Sequence, residues 1–476
     1  MAMRYARGSW DMFRSYLTLP NDAHFPEDIL KNVEWCEKQF GQRGFELQRL
    51  ETETVPLLFA EKTVDPEAKT ILFYLQLDGQ PVDPSKWDQA DPWQPVLKAQ
   101  NEQGEWQEIP WERLTDDYDP EYRIFARATA DAKGPVMMWL MGWDALADEG
   151  KQPAYNVKVI MDFEEEIGSP RLPATVVANR ELLSADALLI FDGPRHLSNQ
   201  PTLSYGARGI ARVTLKLYGP VAAQHSGHYG NYLPNPAVRL AQLIASMKDE
   251  AGRVTIPGWY DGIELTPEVQ KILDRVPDDE QAILDRMGVA APDSVANGYQ
   301  AALQYPSLNV RGLASGWVGT KVRTIIPAEA VAEIDIRLVK ESDPERMIGL
   351  LKGHLEAQGY HLLEDEPTEA ERKQFPRLLG FDYGISYQAF RTPMDSEIGD
   401  FLRGAMRSAF GEAPIEVRTM GGSIPISPFV NTLDVPAVVV PTVNRDNNQH
   451  SPNENIRVGN YVDGIKTLYA IFSQEF

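Results

Sequence analysis

Three consecutive carboxylates, Glu164-Glu165-Glu166, follow the largely apolar run Val157-Lys158-Val159-Ile160-Met161-Asp162-Phe163 and lead into Ile167-Gly168-Ser169-Pro170. Adjacent carboxylates repel, so a strand end that holds them is a place for cations. One carboxylate can ligate a metal while its neighbour takes a proton from water acidified by that ion. Acidic runs are more often solvated faces, so this chemistry needs partners from elsewhere in the chain. His450, in Asn447-Asn448-Gln449-His450-Ser451-Pro452-Asn453-Glu454, lies just beyond the buried-strand pattern Ala437-Val438-Val439-Val440. Asp131 stands before an apolar helical stretch, where taken alone it reads as an N-cap. Asp192-Gly193 after a strand reads alone as a turn. His225 and His228 share a glycine-bearing loop, and singly each reads as structural or exposed. His24, His196, His354 and His361 have no chemical company.

The elements that must position these residues alternate between helix and strand. A helix through Ile29–Phe40 precedes the apolar strand Ile71–Leu75; a helix through Val136–Leu146 leads into strand Val157–Met161; Ala187–Phe191 is another strand. Short continuous apolar runs separated by helices indicate an α/β sheet, whose ligands gather at the carboxyl ends of its strands. Asp78, Glu165, Glu166 and Asp192 all fall just after such runs. Near Gly206 the pattern changes. Val213, Leu215 and Leu217 alternate with polar residues, as do Ala332, Ile334, Ile336 and Leu338, the signature of half-buried strands. Helices follow from Asn235-Pro236 and from Pro344 to Gln358. Two strand–helix pairs predict a small antiparallel sheet backed by helices, inserted into the larger domain. Residues 250–300 and 364–373 read as acidic and irregular. Boundaries are expected at 1–206 and 389–476 for a catalytic domain in two parts, and at 207–388 for the insertion.

The chain has 476 residues, 43% hydrophobic, and a formal net charge of −23. That charge works against nucleic acid and anionic membranes as partners. The single cysteine, Cys36, forbids an intramolecular disulfide and reads as a core residue on the Ile29, Val33, Phe40 stripe. No window reaches the apolar length of a membrane span, and the N-terminal residues lack the apolar core of a signal peptide. A cytoplasmic location is the expectation, although a trimmed leader would leave no trace.

In order along the chain, Leu77-Asp78-Gly79-Gln80-Pro81-Val82 with Lys86-Trp87, Glu165-Glu166-Ile167-Gly168-Ser169, Gly421-Gly422-Ser423-Ile424-Pro425 and His450-Ser451-Pro452-Asn453-Glu454 resemble one family. It is the co-catalytic zinc exopeptidase family of carnosine dipeptidase, glutamate carboxypeptidase, aminoacylase and succinyl-diaminopimelate desuccinylase, with the dipeptidase branch nearest. The resemblance spans essentially the whole chain. It implies a mixed α/β sheet flanked by helices, with an inserted α+β (ferredoxin-like) lid that also dimerises. It further implies that Asp131 bridges two metal ions, that Asp192 completes one site, and that Glu166 and His450 complete the other. Glu165 would be the general base. His225, from the lid of a partner subunit of a homodimer, would polarise the scissile carbonyl. Arg337, with Asn309, Gly422 and Ser423, would hold a substrate carboxylate, a task suited to a guanidinium fork. The implied reaction is hydrolysis of a dipeptide, short peptide or N-acyl amino acid next to its free carboxylate.

One position departs from the family pattern. The first zinc ligand there is a histidine two residues before Asp78, and this chain has Gln76. A glutamine offers only a neutral amide oxygen, and Asp78, which in relatives orients that imidazole, loses its usual partner. Ala132, Ala126 and Ala128 also replace an acidic residue and two glycines. Three readings follow: a hydrolase with one strong metal site and one weak or empty one; a site altered toward an oxygen-preferring ion such as manganese, or toward an unusual amide; or a silent relative that binds a peptide-like ligand or serves as a structural subunit. Zinc is the expected metal, with manganese or cobalt possible.

Overall fold

In a computed structural model, residues 1–116 and 118–476 are described. They form two compact units, one of Met1–Gly206, Arg391–Arg418 and Pro425–Phe476, the other of Ala207–Phe390 and Thr419–Ile424. The first unit is built on an eight-stranded mixed sheet. Its centre is parallel: Asn156–Asp162, Thr70–Gln76, Ala187–Ile190 and Ala437–Val439 lie side by side in that order. These short Val/Ile/Leu-rich runs are buried on both faces, as parallel strands require. Two features break the expected helix–strand alternation. Glu46–Leu50 and Leu57–Lys62 form an antiparallel hairpin at one edge. Val96–Gln100, Trp106–Glu108, Arg123–Phe125 and Asn455–Arg457 make a separate antiparallel sheet. Their strands are three to six residues long, too short for an alternating pattern to stand out from loops.

Behind the main sheet, helix Lys133–Ala147 is apolar on every side and buried accordingly. Helices Ala2–Leu17 and Val458–Ser473 cover it. Trp139 and Trp143 meet Phe472 edge-on at 5.1 and 5.4 Å between ring centroids. Each such ring is worth about 1.5–3 kcal/mol of burial, so this stack anchors the helix that starts next to Asp131. Cys36 joins the same core beside Ile29, Val33 and Phe40, and burial pushes its thiol up to about 12, the state of a packing residue rather than a nucleophile.

The second unit has a five-stranded sheet in the order Ser307–Ala314, Glu329–Leu338, Gly209–Tyr218, Leu378–Tyr387, His361–Leu363. All pairings are antiparallel except the last. Helices Pro236–Ala245 and Pro344–Ala357 bury Leu240, Leu243, Met347, Leu351 and Leu355 against Val213, Leu215, Ile334 and Ile336. Asn235 caps the first helix through its side chain, as its place before Pro236 predicts.

Three corrections arise here. The stretch 250–300 is not irregular throughout: it contains helices Pro267–Leu273, Glu280–Met287 and Tyr299–Ala302. Residues 364–373 likewise lead into helix Glu369–Gln374, started by a capping box between Thr368 and Glu371. Side-chain caps from Thr266, Asp279 and Thr368 nucleate these helices despite their polar composition. The segment Thr419–Ile424, placed by sequence with the final catalytic part, packs with the second unit.

The close crossing of the two core helices depends on glycine. A Cβ on Gly142 would lie 2.6 Å from Leu468 Cβ. Gly142→Ala is therefore expected to cost about 1–3 kcal/mol through overpacking. Denaturant unfolding checks this, and an unchanged midpoint would mean the helices do not cross this tightly.

Candidate active site

The first unit gathers the acidic cluster at the carboxyl ends of three adjacent parallel strands. Gln76 ends one, Glu165 and Glu166 follow the second, and Asp192 follows the third. Asp131 arrives from the loop before the buried helix. It is not that helix's N-cap: Ala132 is, and makes no side-chain cap. His450 arrives from the loop after Ala437–Val439, with φ of 61°, a backbone conformation uncommon outside glycine.

Asp131, Glu166 and His450 present ligand atoms all within 4.8 Å of one another. His450 Nε2 is 3.0 Å from Asp131 Oδ2 and 3.3 Å from Glu166 Oε2. A tetrahedral dication with bonds of ~2.1 Å spaces its ligand atoms by about 3.4 Å, so this trio fits one ion. Glu166 Oε1 is also buried with no hydrogen-bond partner among the described residues, a cost that a cation removes. His450 is raised to about 10 by its bonds to Asp131 and Glu166, so the cluster draws positive charge to itself. Burial first, then the neighbouring carboxylates, pushes Glu165 well above the ordinary range, and burial and Asp131 push Asp192 up to about 7.

The three consecutive glutamates separate into different roles. Glu164 is held by the Thr54 hydroxyl at 2.7 Å and takes no part in the cluster. Glu166 accepts from Gln80 Nε2 at 2.8 Å. Glu165 is directed among Asp192, Glu166, Asp131 and Asp78, and none of the described residues hydrogen-bonds to its carboxylate. Asp78, expected to lack a partner, has two. Its oxygens accept the backbone N–H groups of Glu165 and Glu166, both at 2.9 Å. Asp78 therefore positions the Glu165–Glu166 loop instead of an imidazole. Asp162 braces the same turn, accepting from the Tyr74 hydroxyl at 3.0 Å, the Ser169 hydroxyl at 2.5 Å and the Glu164 N–H at 3.0 Å.

Gln76 meets Asp131 and Asp192 through its amide nitrogen. Nε2 donates to Asp131 Oδ1 at 2.8 Å and to Asp192 Oδ1 at 3.0 Å. An amide nitrogen has no free lone pair, so in this orientation Gln76 is a donor to the cluster, not a ligand.

Glu454, four residues after His450, closes the same motif and has a role that its type and spacing do not announce. It is fully buried and accepts from Arg127 Nη1 at 2.7 Å and from the N–H groups of Ala128, Ala130 and Asp131 at 3.0, 2.9 and 2.9 Å. The strand that follows it, Asn455–Arg457, pairs with Arg123–Phe125, which precedes the Asp131 loop. Two segments over 300 residues apart in sequence are thus locked together, and with them His450 and Asp131. Spacing alone gives no sign of this, because the partners are backbone amides.

The second unit holds the remaining predicted residues. Arg337 Nη1 donates to Ser423 Oγ at 2.9 Å, and Asn309 Nδ2 donates to Asp335 Oδ1 at 2.9 Å on the paired strands. Arg337 also faces Asp335 at 3.6 Å. Arg208 joins this group: its N–H donates to Gly422 O at 3.2 Å. Burial, then Arg337, lowers its guanidinium to about 10. His225 is exposed on a two-residue strand paired with Ile325 and Ile326, its ring 4.6 Å from that of His228. The other four histidines are bland as expected: His354 bonds Ser246, and His361 stacks on Phe375.

Three candidate cation ligands at the ends of parallel strands, beside a half-buried glutamate with no hydrogen bond among the described residues, are the arrangement expected of a metallohydrolase. The model of peptidase family M20/M25/M40 matches residues 94–474, and the chain belongs to that family. Beta-Ala-His dipeptidase of Mus musculus is 26% identical over 430 residues, 88% of this chain and 79% of its own length. Cys-Gly metallodipeptidase DUG1 of Candida albicans is 26% identical over 456 residues, 94% of this chain and 87% of its own. Among solved structures, the M20 family metallo-carboxypeptidase Sso-CP2 of Sulfolobus solfataricus aligns with a TM-score of 0.79 at 26% identity over 97% of both chains. The mixed α/β fold and the metallopeptidase class expected from the motifs are both borne out.

Glu454→Ala would leave the Arg127 charge and three backbone N–H groups buried without their acceptor. A loss of about 3–5 kcal/mol is expected, as for breaking a buried ion pair. Urea unfolding of the metal-free protein measures it; a loss below about 1 kcal/mol, the value of an exposed pair, would show that Glu454 does not clamp the loop.

Proposed function

We propose that this chain hydrolyses the amide of a dipeptide or N-acyl amino acid adjacent to the substrate's free carboxylate. The observation that carries this reading is Glu165, a half-buried carboxylate without a hydrogen-bond donor among the described residues, its backbone held by Asp78 beside the Asp131, Glu166, His450 trio. The relatives support the substrate class, since β-Ala-His and Cys-Gly, the substrates in their names, are both dipeptides.

Asp131, Glu166 and His450 would hold the ion, zinc by donor type, with manganese or cobalt as the other candidates. When bound, the ion acidifies water and polarises the scissile carbonyl. Glu165 takes the proton of the attacking water and passes it to the leaving amine, a role open to it because no described residue donates a hydrogen bond to its carboxylate. Arg337 and Ser423, with Asn309 and Gly422, orient the carboxylate end of the substrate. The insertion acts as the lid, and His225 reaches the substrate of a partner chain in a homodimer. Exposed apolar residues near His225 in the same unit, Trp317, Val318 and Val322, supply a surface suited to such pairing. A cytoplasmic setting is consistent with one buried cysteine and with the finding that no described helix is long and apolar enough to cross a membrane.

Two experiments test this reading. Glu165→Gln is expected to lower kcat by about 10²–10⁴-fold on a responsive substrate, found by screening dipeptides and N-acyl amino acids with zinc, manganese and cobalt. Ion content and Tm should stay unchanged, and undiminished turnover removes Glu165 as base. The second mixes two inactive variants, His225→Ala and Glu165→Gln. If His225 acts across a dimer, mixed dimers carry one intact site and activity returns on co-refolding. Activity that never returns, or a monomer by light scattering, excludes the shared site.

A further inference from the structure

The family resemblance implies two ions bridged by Asp131, and the donor set fits only one of them. On one side, Asp131 Oδ2 faces His450 and Glu166. On the other, Asp131 Oδ1 and Asp192 Oδ1 converge on a single atom, Gln76 Nε2. A primary amide nitrogen has two hydrogens and no donor pair for a metal. Both hydrogens are used here, one on each carboxylate, at ordinary hydrogen-bond lengths. The reverse orientation would set the amide oxygen within 3.0 Å of two carboxylate oxygens, which is repulsive.

Gln76 has little freedom to do otherwise. It is 3% exposed, it ends a strand between two parallel neighbours, and its backbone is in register with Asp162. The carboxylates that relatives neutralise with a second cation are here met by a neutral group that satisfies both. The first site gets similar help from outside: Gln80 Nε2 donates to Glu166 Oε2 at 2.8 Å, and Gln449 Nε2 lies 3.4 Å from Asp131 Oδ2. Those contacts leave His450 and the unpartnered Glu166 Oε1 on the cation side.

We infer that the Gln76 amide occupies the place of the second ion, so that this chain binds one cation per active site and Asp192 is a hydrogen-bond acceptor and not a ligand. The inference rests on the metallohydrolase reading and narrows it to one-ion hydrolysis.

The test counts ions. Protein stripped with chelator is dialysed against zinc, and zinc per chain is measured by elemental analysis, with circular dichroism to confirm folding. The wild type should bind one ion, and Asp192→Asn should still bind one. Gln76→His restores an imidazole beside Asp131 and Asp192 and should bind two, falling to one when combined with Asp192→Asn. Two ions in the wild type, or loss of an ion when Asp192→Asn is made in the otherwise wild-type chain, overturns the inference. A second ion absent from folded Gln76→His also overturns it, because the amide would then not be what excludes the ion. One ion with no hydrolysis across the substrate panel sinks the functional reading alone; two ions with hydrolysis sinks this inference alone; none at all sinks both.

Discussion

Burying several like charges in one small space is the constraint on which the site depends. Asp78, Asp131, Glu165, Glu166 and Asp192 lie close together at the strand ends, the first two buried and the other three half-buried. Carboxylates so placed must be paired, protonated or matched to a cation, because desolvating an unpaired charge costs several kcal/mol. Asp78 is paired with backbone amides, Asp131 with Gln76 and His450, and Asp192 with Gln76, while Glu165 has no such partner among the described residues.

The acids that do no chemistry are saturated by donors. Asp78 takes two backbone amides, Asp162 a tyrosine, a serine and an amide, and Glu454 an arginine and three amides. These bonds are strong because the acceptor is charged and the surroundings are dry. They convert flexible loops into fixed ones, which is what lets Glu165 stay unbonded and still be directed inward. A carboxylate tied up by donors has a lower affinity for a proton. Saturation of its neighbours and isolation of Glu165 are parts of one arrangement.

Much of the fold was legible in the chain because it rests on periodicity. The parallel strands announce themselves as short runs buried on both faces, and the strands of the second unit as strict alternation in Val213–Leu217 and Ala332–Leu338. The Glu46–Lys62 hairpin, the small sheet around Arg123–Phe125 and the helices within 250–300 were not legible. The strands are too short for their alternation to stand out, although Leu58, Phe59, Leu97 and Ile124 are buried, and the helices are polar and begin at side-chain caps. Side-chain caps are local signals, but Thr and Asp before a polar helix look the same as Thr and Asp in a turn.

The identities of the acids, the imidazole and the substituted Gln76 were fixed by sequence, because motif order and residue type survive without coordinates. Which atoms meet was decided by tertiary structure alone. Asp78 could be named but not matched to the amides of its own catalytic loop, and Glu454 could be quoted but not recognised as the clamp on Asp131. Gln76 could be seen as a poor ligand, while only the convergence of two carboxylates on its nitrogen shows that it donates. Hydrogen bonds form between groups that folding brings within 3 Å, and backbone amides, which every residue has, leave no mark in the order of side chains.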